Sequence, residues 1–105
     1  MHPLIEQHRS EIAQLCRRYA VRRLEVFGSA ARGADFDPER SDADFLVDFQ
    51  PASGLPPLEQ FFGLAEALEQ LLGRPVDLLE RPAVESSRNY IRRRGILGGA
   101  EPVYG

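Results

Sequence analysis

At 105 residues, with 43% hydrophobic and 28% charged side chains, the chain is long enough for one buried core and too short for two, so a single domain over residues 1–105 is expected. A formal net charge of −3 excludes general electrostatic attraction to nucleic acid or to anionic membranes. The single cysteine, Cys16, excludes an intrachain disulfide, and no apolar run resembles a signal peptide or a membrane span, so a cytoplasmic setting is expected.

Apolar residues recur at three- and four-residue steps from Leu4/Ile5 through His8, Ile12 and Leu15/Cys16 to Tyr19, which predicts one amphipathic helix over Leu4 to Tyr19. Leu24 to Phe27 reads as a short strand, and the residues after Ser29 as the start of a brief helix. Ala43 to Phe49 is a second strand. Pro56-Pro57 opens a helix whose apolar stripe is Leu58, Phe61, Ala65, Leu68 and Leu72, widened by Phe62, Leu64 and Leu71. Gly73 ends it and Pro75 prevents its return. Val76 to Leu79 is a third strand. Ser86 or Ser87 caps a final helix through Arg88 to Arg94, broken by Gly95. Glu101 to Tyr104 reads as a short extended segment. The order αβ(α)βαβα predicts a small α/β (α+β) fold, with a short mixed sheet flanked by helices. No internal repeat or low-complexity tract is present.

The stretch from Gly28 to Asp44 carries the chemistry. A strand places residues i and i+2 on one face, so Asp42 and Asp44 project side by side, with Leu46 and Asp48 further along. Ala43, Phe45, Val47 and Phe49 form the opposite, apolar face. An Asp-x-Asp pair alone also suits a solvated strand end. Two carboxylates held this close repel each other, and a divalent cation such as Mg²⁺, which takes oxygen ligands, removes that cost. Upstream, Gly28-Ser29 closes the first strand, where a tight turn presents backbone N–H groups and a hydroxyl to phosphate. Arg32 either neutralises phosphate or pairs with Asp35 or Asp37. Asp77, a lone acid between Val76 and Leu78, is costly to bury without a partner. The loop Asp35 to Glu39 is not a calcium loop, because Arg40 and Leu46 stand where that motif needs glycine and a bidentate glutamate. His2, His8 and Cys16 form no ligand cluster. Arg88, Arg92, Arg93 and Arg94, with Arg81, form either a solvated helix end or a docking face for an acidic partner or nucleic acid.

Gly28-Ser29, Ala31-Arg32-Gly33 and Ser41-Asp42-Ala43-Asp44-Phe45-Leu46-Val47 together resemble the signature of the minimal nucleotidyltransferases, the small branch of the DNA polymerase beta superfamily. Twelve residues separate Ser29 from Asp42, more than the commoner family spacing. The extra length falls in the polar stretch Ala34 to Arg40, where loops lengthen at little cost. The resemblance implies that Gly28-Ser29 holds a nucleoside triphosphate, with Arg32 as a further contact. It also implies that Asp42 and Asp44 bind metal, two Mg²⁺ ions on the general two-metal pattern. Asp77 would be the third carboxylate, as ligand, general base or both.

Larger relatives carry a further domain for their acceptor, and a chain of this size leaves no residues for one. Minimal nucleotidyltransferases are typically encoded beside a HEPN-domain partner as antitoxins. There they neutralise a toxic RNase, in studied cases by transferring AMP from ATP to a tyrosine of that protein. The resemblance therefore implies a protein adenylyltransferase with a HEPN-type partner. Two alternatives stand beside it. One is a non-catalytic module that inhibits its partner by steric contact. The other is a transferase acting on a small molecule or an RNA end, as a dimer whose second subunit shapes the acceptor pocket.

Overall fold

The computed structural model describes residues 1–32 and 42–105. The stretch Gly33 to Ser41, including Asp35, Asp37 and the polar loop Ala34 to Arg40, lies outside the described residues. In chain order the elements are α1 (Pro3–Gln7), α2 (Arg9–Arg18), β1 (Val21–Phe27), α3 (Gly28–Arg32) and β2 (Ala43–Phe49). They continue with α4 (Pro57–Leu72), β3 (Val76–Glu80), α5 (Arg81–Glu85), α6 (Tyr90–Gly98) and β4 (Glu101–Tyr104). The strands form one sheet in the order β3-β2-β1-β4. β1 runs antiparallel to β2 and β4, and β2 runs parallel to β3. This is the small mixed-sheet α/β architecture expected from the element order. Among the described residues, no helix is long and apolar enough to cross a membrane.

The main core lies on one sheet face. Ala43, Phe45 and Val47 of β2 pack there with Leu24 and Val26 of β1, under Ile5, Ile12, Cys16, Leu64 and Leu68. Burial pushes the Cys16 thiol up to about 12, so this cysteine is a small apolar core residue and not a nucleophile. The other sheet face is covered as well. Leu46 is 1% exposed and packs with Phe27 and Val84, flanked by Leu79, Ile96 and Leu97. Burying such a side chain is worth roughly 1.5–3 kcal/mol. β2 is therefore a central strand with two buried faces, and its acids are confined to its start and its far end.

Several boundaries differ from the sequence reading. The expected helix over Leu4 to Tyr19 is two helices that break at His8, whose backbone (φ −102, ψ 10) leaves the helical well. His8 Nδ1–H donates to the Leu4 carbonyl at 2.8 Å, which supports the turn locally. α4 keeps its expected limits, closed by Gly73 in the left-handed conformation (φ 68). Its buried stripe, however, is Gln60, Leu64, Leu68 and Leu72, while Leu58 and Phe62 are 73% and 61% exposed. Gln60 donates its side-chain N–H to the Tyr19 carbonyl (2.9 Å). Gly63 leaves room for the Tyr19 ring, since a Cβ there would stand 2.6 Å from its edge. Apolar residues surround the first turns of α4, so periodicity alone does not choose the face. At the end of the chain, α6 is capped by Asn89, which accepts from the Arg92 N–H at 3.1 Å, and not by Ser86 or Ser87. It runs through Gly95 to Gly98. α5 has no counterpart in the sequence reading.

Candidate active site

The candidate site is built where β1 ends and β2 and β3 begin. Phe27 pairs with Asp44 across the antiparallel ladder, and Asp44 pairs with Asp77 across the parallel one. The three residues form a row over adjacent strands, about 4.8 Å apart from strand to strand. Asp42 directly precedes β2, two residues before Asp44. Asp42 and Asp77 are exposed and Asp44 is half-buried.

The electrostatics report the same proximity. The Asp44 carboxyl is raised from 3.8 to about 6, first by desolvation, then by the charges of Asp77 and Asp42, with Arg32 opposing. Three carboxylates thus bear on one position, and Arg32 at the end of α3 faces it. Like charges so placed favour a bound cation, and an all-oxygen donor set suits a hard ion such as Mg²⁺. The donors are brought together without being closed on one another. Among the described residues, no group of three or more His, Cys, Asp or Glu side chains stands at metal-holding distance.

Gly28 is the first residue of α3 and adopts φ +66, a conformation that side-chain-bearing residues rarely take. A Cβ there would meet the Asp44 Oδ2 at 2.6 Å. The turn and the carboxylate are therefore in direct contact, with Ser29 following at the start of the helix. Gly28→Ala is expected to cost about 1–2 kcal/mol through backbone strain and to displace the Asp44 carboxylate. Denaturant unfolding checks the first effect. Loss of nucleotide-induced stabilisation, measured well below the midpoint, checks the second.

Asp48 lies at the far end of β2 and is ion-paired with Arg22, apart from the row of acids. His2 caps α1 by accepting from the Leu4 N–H at 3.0 Å, and His8 serves the turn described above. Sequence reasoning missed Glu25, which is 3% exposed in the row behind Phe27 and Asp44. It is ion-paired with Arg81 at the start of α5 and with Arg23 at 3.2 Å. A charge removed from water needs such partners, and here they tie α5 to the sheet beside the site. The available signal was an acid inside the apolar run Leu24 to Phe27.

A family model described as a nucleotidyltransferase domain matches residues 7–97. The protein adenylyltransferase MntA of Thermococcus cleftensis is 40% identical over 83 residues, covering 79% of this chain and 76% of that protein. A solved structure assigned as a minimal nucleotidyltransferase superposes with a TM-score of 0.72 at 34% identity, covering 97% of this chain and 96% of that one. A tri-AMPylated HEPN toxin of Shewanella oneidensis has been solved in complex with an MNT antitoxin. That structure matches with a TM-score of 0.61 over 96% of this chain and 72% of the other, and its 19% identity supports the fold alone.

Proposed function

This chain belongs to the nucleotidyltransferase-domain family, and from that premise we propose that it transfers AMP from ATP to a hydroxyl of a HEPN-type partner protein, acting as the antitoxin of an RNase toxin. The observation that carries the reading is the Phe27–Asp44–Asp77 row set against the Gly28 turn. The similarity to the Thermococcus protein adenylyltransferase supports protein adenylylation, and the Shewanella complex is a precedent for a chain of this fold bound to a HEPN toxin.

In this reading Gly28 and Ser29 hold the triphosphate through backbone N–H groups and the Ser29 hydroxyl, and Arg32 neutralises part of its charge. Asp42, Asp44 and Asp77 would hold Mg²⁺, which when bound supplies charge neutralisation at the carboxylates and the phosphoryl oxygens. Asp77, exposed on the edge strand, faces the side from which an acceptor enters. It orients the acceptor hydroxyl as metal ligand, proton acceptor or both. The acceptor oxygen bonds to the α-phosphorus, the bond from that phosphorus to the bridging oxygen breaks, and pyrophosphate leaves. No nucleophilic side chain of this chain takes part.

The test is the intact mass of a co-expressed HEPN-type partner. With ATP and Mg²⁺ the partner is expected to gain one or more AMP masses on a hydroxyl side chain, tyrosine above all, and none with the Asp44→Asn chain. A partner that is inhibited but unmodified would overturn the catalytic reading in favour of steric inhibition.

A further inference from the structure

The local chemistry of α6 works against a helix. It is nine residues long and none of them is buried, although a helix this short depends on tertiary packing. Only Arg93, Ile96 and Leu97 are half-buried against the fold. Gly95 and Gly98 lower its helix propensity, and a Cβ at either would meet no described residue within 4 Å. Nothing described within the chain therefore calls for glycine at these two positions. Arg88 just before α6 and Arg92 in its first turn put positive charge where the helix dipole disfavours it, with no acid in that turn. Ser86 to Ala100 holds four of the thirteen arginines and none of the sixteen acids. Among the described residues no carboxylate pairs with Arg88, Arg92 or Arg94.

These residues share one arrangement. Helix positions three and four apart lie on one face, so Ile91, Gly95 and Gly98 form a single stripe. It runs opposite Ile96 and Leu97, which pack toward Phe27 and Leu46. Ile91 is 82% exposed, and Arg92 and Arg94 stand on the two flanks of the stripe. Two glycines beside an exposed isoleucine form a groove that a second helix can approach closely, backbone to backbone. We propose that the outer face of α6 is a docking surface for an acidic amphipathic helix of the acceptor protein. Its backbone lies along Gly95 and Gly98, an apolar side chain covers Ile91, and its carboxylates meet Arg88, Arg92 and Arg94. For the identity of that protein the inference rests on the adenylyltransferase reading above. Leu46 shares a strand face with Asp44, so a helix seated on α6 stands on the side of the sheet that carries Asp44 and Asp77. The excess of acids over the rest of the chain repels the same partner and leaves α6 as the attractive face. The uncharged centre of the stripe and the net charge of −3 favour an acidic protein over a polyanionic RNA.

Binding of the purified HEPN-type partner, without ATP or metal, tests the face by calorimetry and stopped-flow kinetics. Gly95→Ala is expected to raise the melting temperature of the chain alone, since alanine is the better helix former and its methyl meets nothing described. The same methyl should weaken partner binding roughly five- to a hundredfold, the scale of overpacking a close contact. A purely structural role for Gly95 would move both readouts the same way. Arg88→Glu combined with Arg94→Glu should slow association roughly tenfold or more at low salt and flatten its salt dependence. Both arginines are exposed, so the double variant keeps the fold. Parental binding by either variant would overturn the docking face. So would a short oligoribonucleotide bound through the same arginines, or a self-association of the chain that Gly95→Ala abolishes. A partner bound through Gly95 and the arginines but never adenylylated keeps the docking face and refutes the functional reading. Parental transfer by both variants, at partner concentrations below saturation, does the reverse. No binding of the partner to the parent chain overturns both.

Discussion

Asp42→Asn and Asp44→Asn are each expected to abolish magnesium-dependent AMP transfer while leaving the fold intact. Each change keeps the side-chain volume and removes one negative oxygen ligand. The expected loss is roughly 10²–10³-fold or more, the scale of removing one preorganised group that stabilises developing charge. Stabilisation by Mg²⁺–ATP should vanish with it. The ligand-free protein should respond in the opposite sense at Asp44. Its carboxyl sits near 6 in the folded chain against an ordinary 3.8. Between those values the native state holds a proton that the unfolded chain has released, so stability falls as pH rises through that window. Asp44→Asn removes this loss. Its melting temperature should therefore equal or exceed that of the parent above pH 6, with the difference closing below about pH 4. An Asp44→Asn chain with parental transfer activity would remove Asp44 from the site.

Asp77→Ala is expected to lower turnover by at least roughly 10²-fold, with a smaller effect on ATP binding, because the proposed mechanism puts Asp77 on the acceptor side of the row. Asp48→Ala is the internal control. Asp48 lies two strand steps beyond Asp44 and is engaged by Arg22, so turnover should change little. Single-turnover kinetics separate the two cases. Equal losses at Asp77 and Asp48 would mean that the third carboxylate has been assigned to the wrong residue.

Local signals account for what could be read from the chain. The limits of β2 follow from period-two alternation after Asp42, and those of α4 from Pro56-Pro57 and Gly73. The acids themselves could be named from the motif. Their alignment could not, because the pairing of Asp44 with Asp77 is a register between strands separated by the whole of α4. The same applies to Leu46, which alternation places on the acidic face but α5 and α6 cover. Leu58 and Phe62 stand outside the buried stripe because α4 has apolar side chains on more than one face, and packing against Tyr19 decides among them. α6 passes through Gly95, a residue that propensity alone reads as a stop. The partnership of Glu25 and Arg81 joins residues far apart in the chain, which no local pattern shows.

In the proposed mechanism the Gly28 turn and the row of acids act together on one nucleotide. A crystal structure with a non-hydrolysable ATP analogue and Mn²⁺, located by its anomalous signal, tests it most directly. The expected result is metal bound by Asp42 and Asp44, with the phosphates at Gly28 and Ser29 and the α-phosphorus facing Asp77. A nucleotide bound elsewhere, or metal held without Asp44, would contradict it.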